Sequence, residues 1–170
     1  MAHIFSCVVQ NRPGVLAHVA GMFAARGYNI DSLAVGTTDD ARYSRMTIAT
    51  QGNEQTLEQI RKQLSKVIDV INVYDFAEVD SVERDLVLVK VNAPSSRRGE
   101  VIEMTDLFRG KVVDVGPKEL ILEMSGSEEK VERFIELMRP FGIKELARTG
   151  RVSMARGPKV AGEKRGRSKY

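Results

Sequence analysis

Residues 3–10 carry an apolar, strand-like run, Ile4 to Val9, that stops at Gln10. Over residues 13–26, Val15, Leu16, Val19, Met22 and Phe23 recur on one face, the spacing of an amphipathic helix. Arg26-Gly27 ends it, and residues 28–37 read as a strand anchored by Ile30, Leu33 and Val35. Thr38-Asp39-Asp40-Ala41 supplies turn chemistry. Residues 43–50 form the next strand, with Met46 and Ile48 alternating with polar neighbours. A second helix over 54–67 puts Leu57, Ile60, Leu64 and Val67 on one stripe, and residues 68–79 alternate as a last strand. The order is βαββαβ, the ferredoxin-like arrangement.

The pattern then repeats. Leu86–Val91 reads as a strand, 98–109 as a helix with Val101, Ile102, Met104, Thr105 and Phe108 toward a core, and Lys111–Val115 and Glu119–Met124 as strands joined through Gly116-Pro117-Lys118. Ser127 is an N-cap candidate for a helix with acids in its first turn, which breaks at Pro140. Gly142–Ser153 ends the unit as a strand. The helix exits echo each other, Phe23-Ala24-Ala25-Arg26-Gly27 against Phe108-Arg109-Gly110, with glycine the expected C-cap in both. The expected fold is therefore α+β, two ferredoxin-like βαββαβ domains. Residues 1–79 form the first, 80–84 a linker, 85–157 the second and 158–170 a basic, disordered tail.

The segment Asn11-Arg12-Pro13-Gly14-Val15-Leu16, between the first strand and helix, carries the candidate chemistry. Pro13 suits the first helical position, because its missing N–H would have no partner there. The N–H groups of Gly14, Val15 and Leu16 would point out of the helix end, and Gly14 has no side chain to cover them. A carboxylate or phosphate fits such a place, on main-chain donors and the positive end of the helix dipole. The second half has Asn92-Ala93-Pro94-Ser95-Ser96 at the corresponding position and lacks this start.

Composition narrows the classes. The chain has 170 residues, 42% hydrophobic and 29% charged, which suits a packed globular fold. No apolar run approaches the ~20 residues of a membrane helix. The N-terminus lacks the marks of a signal peptide, and Cys7 is the only cysteine, so a cytoplasmic location is expected. The net charge of +3 is concentrated at the end of the chain. Without residues 156–170, which hold six of the Lys and Arg and one acid, the body has 20 basic and 22 acidic residues. No aromatic except Tyr170 is interleaved with the tail's charges, as stacking on bases would need, so a solubilising tail is favoured over a nucleic-acid anchor.

No catalytic constellation is present. His3, His18 and Cys7 all lie in the first 18 residues, metal-ligand spacing is missing, and there is neither a phosphate loop nor GxGxxG. His18 is expected on the helix surface, and Asp39-Asp40 in a solvated turn. The chain is expected to carry no catalytic site, no metal and no cofactor of its own.

The Asn11–Leu16 segment followed by Arg26-Gly27-Tyr28-Asn29-Ile30 resembles an ACT domain, a small amino-acid-sensing module. The likeness extends to Gly27–Leu33, Ser44-Arg45-Met46-Thr47-Ile48, Leu57-Glu58-Gln59-Ile60, Val82-Glu83-Arg84-Asp85-Leu86, Phe108-Arg109-Gly110 and Ala147-Arg148-Thr149-Gly150. Together these resemble the regulatory small subunits of acetohydroxyacid (acetolactate) synthase over about residues 2–158. The resemblance implies a separate catalytic chain carrying thiamine diphosphate, a magnesium ion and FAD, which condenses pyruvate with pyruvate or 2-oxobutyrate in branched-chain amino-acid biosynthesis. The small subunit would activate that chain and confer feedback inhibition, usually by valine, bound between two ACT domains of a homodimer.

In a sheet of order 4-1-3-2 the second strand is an edge, and pairing it with its symmetry mate would give a two-fold dimer. Asn29 and Ile30 would then approach the partner copy's helix-start turn. The candidate effector site is Asn11, Gly14, Val15, Asn29 and Ile30, with Val9, Pro13, Leu16 and Val35 as further lining. Taken alone, Asn11 reads as a turn residue or cap and Gly14 as a tolerated small residue; the whole-chain resemblance favours the site. Val9 and Ile30 suit core packing as well as ligand contact. The alternative is a stand-alone amino-acid-sensing ACT regulator using the basic tail.

Overall fold

The computed structural model describes residues 2–77 and 79–157. The expected tail, 158–170, lies outside the described residues. The chain divides into two compact units, residues up to Val82 with the segment from Val152, and Glu83–Arg151.

The first unit runs β1 His3–Gln10, α1 Val15–Ala24, β2 Ser32–Thr37, β3 Tyr43–Thr50, α2 Glu54–Leu64 and β4 Val70–Asp75. Its antiparallel sheet has the order β2-β3-β1-β4, so β2 is an edge. Alternation along β1 sends Phe5, Cys7 and Val9 to one face, where they meet Val19 and Phe23 of α1 and Ile60 and Leu64 of α2. Asn53 caps α2 by accepting from Thr56 N–H at 2.8 Å. Gly27 closes α1 as expected, with Tyr28 N–H donating back to Phe23 O at 3.0 Å.

The second unit repeats the plan with β5 Ser81–Asn92, α3 Arg98–Leu107, β6 Lys111–Val115, β7 Glu119–Gly126, α4 Glu128–Met138, a 3-10 turn at Arg139–Phe141 and β8 Ile143–Arg148. The sheet order is β6-β7-β5-β8, the same arrangement again. Val87, Val89 and Val91 of β5 and Leu120 and Leu122 of β7 pack against Phe134 and Met138. Strand β9, Val152–Ala155, pairs with β5, whose first two residues belong to the same unit as β9.

Several boundaries differ from expectation. Helix α1 starts at Val15, not at Pro13, because Gly14 stands at φ 89°, outside the helical region. Residues 28–31 precede β2 as irregular chain, although Asp31 N–H still reaches Ala49 O at 2.8 Å. Ile68 and Asp69 lie in a turn, and Ile68 is exposed. From Ser81 onward the expected linker is already strand β5. The expected strand 142–153 is two strands, β8 and β9, interrupted at 149–151. At the end of α3 the left-handed residue is Arg109, φ 56°, rather than Gly110. Gly110 answers a different need, since a Cβ there would stand 2.9 Å from Thr105 Cγ2 and 3.0 Å from Glu123 O. Ser127 occupies the N-cap of α4 without a side-chain cap bond.

Cys7 is fully buried, and burial pushes its thiol up to about 12 despite the opposing charge of Arg45. Nucleophilic attack needs the thiolate. Cys7 is therefore expected to resist iodoacetamide in the folded chain and to react on denaturation; rapid labelling of the native protein would contradict this burial.

Candidate functional site

The turn joining β1 to α1 is fixed by three hydrogen bonds. Gln10 N–H donates to Asp69 O at 2.9 Å, and Asn11 N–H donates to Arg42 O at 2.7 Å. The Asn11 side-chain amide donates to Ala41 O at 2.9 Å, which ties the turn to the β2–β3 hairpin. Gly14 follows in the left-handed conformation that glycine adopts without a Cβ penalty. A Cβ at Gly14 would meet nothing within 4 Å, so the space in front of it is open.

Open N–H groups lie along this stretch. Among the described residues, Gly14, Leu16 and Ala17 N–H meet no acceptor, Val15 N–H meets Arg12 O only at 3.5 Å, and His18 N–H closes the first helical bond on Gly14 O at 3.0 Å. The expected donors, Gly14, Val15 and Leu16, are thus present, with Val15 partly occupied and Ala17 added. Such a run of amides at a helix start suits an anion.

The expected lining separates into two groups. Val9 and Val15 are 1% and 3% exposed and belong to the core, because alternation along β1 and the inner face of α1 turn their side chains inward. Of the two roles the sequence leaves open for Val9, core packing is the one seen in the single chain, and Val15 N–H faces Arg12 O at 3.5 Å. Ile30 is half-buried against the same core. Leu16 and Val35, each 46% exposed, and the exposed Pro13 remain as surface. Asn29 lies exposed in the segment before β2, with its amide donating to Asp31 Oδ1 at 2.7 Å. Within one chain, Asn11 and the Gly14–Leu16 donors come together on the turn, while Asn29, Ile30 and Val35 belong to the edge-strand region.

One group at this turn escapes sequence reading. Asp69 has a fully buried side chain that accepts from Arg12 Nε at 2.8 Å and from Arg12 Nη2 on Oδ1, and from His18 Nδ1 at 2.9 Å on Oδ2. The His18 hydrogen bond, opposed by burial and reinforced by Arg12, holds the Asp69 carboxyl below its ordinary value. The only signal was an acid between Ile68 and Val70, inside a segment that reads as an alternating strand. His18 does lie on the exposed side of α1, as expected, but it is anchored there.

Two shallow surface concavities, of about 450 and 280 Å³, lie on α3 and between the end of α3 and the start of α4. Neither borders this turn. Among the described residues no group of three His, Cys, Asp or Glu is placed to hold a metal, and no helix is long and apolar enough to cross a membrane.

Residues 5–72 match the family described as "AHAS small subunit-like ACT domain", and residues 84–157 the family "Small subunit of acetolactate synthase". A protein of Archaeoglobus fulgidus named "Probable acetolactate synthase small subunit" is 52% identical, over 94% of this chain and 99% of the relative. The "Acetolactate synthase small subunit" of Aquifex aeolicus is 50% identical over 91% of this chain and 81% of the relative. The crystal structure of the acetolactate synthase small subunit from Thermotoga maritima superposes with a TM-score of 0.85 at 38% identity, covering 94% of this chain and 99% of that one.

Proposed function

The chain belongs to the acetolactate synthase small-subunit family, and from that premise we propose that it carries end-product feedback to a separate catalytic chain by binding a branched-chain amino acid, valine first, at its ACT domain. As a small subunit it implies a catalytic large subunit as partner, and an ACT domain implies amino-acid sensing. The observation that carries the finer reading is the turn at Gly14, where the N–H groups of Gly14, Leu16 and Ala17 meet no acceptor among the described residues and a Cβ on Gly14 would meet nothing within 4 Å. The amino-acid carboxylate sits on these donors. Asn11 and Asn29 already donate their amide N–H groups within the chain, so their carbonyl oxygens face the ammonium. Edge strand β2 pairs with that of a second copy, which brings Asn29, Ile30 and Val35 to the partner copy's turn. Leu16 and Val35 supply the apolar contacts to the side chain.

The catalytic partner supplies thiamine diphosphate, magnesium and FAD for pyruvate condensation, and this chain raises its activity from the cytoplasm while contributing no catalytic group. Effector binding shifts the grip of the regulatory dimer on the catalytic chain, and a coupling of roughly 1–3 kcal/mol gives a several-fold to hundredfold response. The test is co-purification with the catalytic chain from the same genome, followed by assay of acetolactate formation. The expected result is higher activity with this chain present, and loss of the increment on adding valine. Activity indifferent to valine, leucine and isoleucine alike would remove the effector reading.

A further inference from the structure

The internal repeat offers a control for Asp69. In the first unit the pairing of β1 with β4 shifts register between Val8 and Val9, so that Val9 opposes Val70 and Gln10 N–H finds Asp69 O at 2.9 Å. In the second unit the pairing of β5 with β8 shifts at the matching place, Val91 opposes Ile143, and Asn92 N–H finds Gly142 O at 2.9 Å. The backbone at this corner therefore needs a carbonyl and no side chain. The carboxylate of Asp69 is an addition confined to the unit that carries the Gly14 turn.

That addition is made where charge is costly. A buried carboxylate is tolerated only with partners in good geometry. Asp69 takes Arg12 on one oxygen and His18 on the other, with its side chain fully buried. Both partners bracket the donor run. Arg12 O is the acceptor that Val15 N–H approaches, and His18 N–H closes on Gly14 O. One carboxylate thus grips the residues before and after Gly14–Ala17. Both of its oxygens are engaged, so it does not compete for a ligand's ammonium.

From this geometry we infer that Asp69 is a positioning residue of the effector site, holding Arg12 and His18 so that the Gly14–Ala17 amides are set in advance for a carboxylate. The inference rests on the effector reading given above. Preorganised donors bind more tightly, because the cost of ordering them is met during folding.

The test is calorimetric titration of the full chain with L-valine, below the melting temperature, for the variants Asp69→Asn, Arg12→Met and His18→Ala. Each is expected to weaken valine binding by about tenfold, because donors no longer set in advance must be ordered when the ligand binds. The double variant Arg12→Met/Asp69→Asn is expected to be no weaker than its weaker parent. A further loss in the double variant would make Arg12 a direct ligand and overturn the assignment. A merely structural Asp69 would lower the melting temperature and leave the affinity of the folded chain unchanged, and that result too would overturn it. If Asp69→Asn does not fold, the variants at Arg12 and His18 still decide, since these side chains are 54% and 61% exposed. Glu58→Gln, at an exposed pair on α2, serves as the control with unchanged affinity. If the wild-type chain bound none of valine, leucine and isoleucine, the effector reading itself would fail and take this inference with it; normal wild-type binding with unchanged variants would overturn this inference alone.

Discussion

Gly14→Asp is expected to abolish valine binding in a chain that remains folded. The position is exposed, and a Cβ there meets nothing within 4 Å, so the substitution creates no clash. Its backbone cost is confined to φ 89°, which disfavours L residues by about 1–2 kcal/mol. The new carboxylate lies beside the amides of Gly14, Leu16 and Ala17, where it takes the place of the effector carboxylate and repels it. Like-charge juxtaposition of this kind costs several kcal/mol, so affinity falls by roughly hundredfold or more. Gly14→Ala separates the causes, because it imposes the same φ without the charge and is expected to weaken binding far less. Calorimetry with valine reads both. An unchanged affinity in Gly14→Asp would show that the effector does not sit at this turn.

The largest expected effect on stability lies in the second unit. Asp85, in β5, has a side chain 1% exposed and is paired with Arg148 of β8 through Nε at 3.0 Å and through Nη2. Among the described residues its one other side-chain partner is Thr149 Oγ1 at 3.5 Å. Arg148 also donates to Glu132 of α4 at 2.5 Å, so one guanidinium joins strand, strand and helix. Arg148→Met keeps the aliphatic stem and removes every donor, which leaves a buried carboxylate almost alone. Breaking a buried pair from one side costs about 3–5 kcal/mol. Arg133→Met, at the exposed Glu129 pair on α4, is expected to cost under about 0.5 kcal/mol. Hydrogen exchange at β5 and β7 amides follows the opening of this unit. Protection in Arg148→Met equal to that in Arg133→Met would mean that the Asp85 pair contributes nothing to stability.

The parts of the fold legible in the sequence were those governed by period alone. An apolar run bounded β1 and alternation bounded β3 to the residue, and the recurrence of apolar residues over two halves announced two sheets of the same order. What was not legible depended on single dihedrals or on distant partners. Pro13 carries every local mark of a first helical residue, yet Gly14 takes a left-handed φ and delays the helix to Val15. Arg109 takes the left-handed position next to a glycine that is needed for a close approach to Glu123 O. At the candidate site, the main-chain donors followed from the Pro-Gly turn. Asp69 did not, because its role is defined by Arg12 and His18, 57 and 51 residues earlier. Val9 was ambiguous in sequence, since an apolar residue at a strand end suits a core and a pocket equally, and only burial decides between them.

The separation of buried Val9 and Val15 from exposed Leu16 and Val35 has a consequence for how effector preference can change. On the proposed reading the groups that would hold a carboxylate belong to the main chain, so a side-chain substitution reaches them only at Gly14 itself or through the Asp69, Arg12 and His18 cluster that positions them. Leu16 and Val35, the residues proposed to meet the effector's side chain, are exposed and lie outside the core, where substitutions usually alter stability by no more than about 0.5 kcal/mol. On that reading, recognition of an amino acid as a class would be anchored in the fold, while the identity of that amino acid would be left to two positions that selection can alter almost without structural penalty. A lineage could move from one end product to another by drift at Leu16 and Val35, with the remainder of the sensor unchanged.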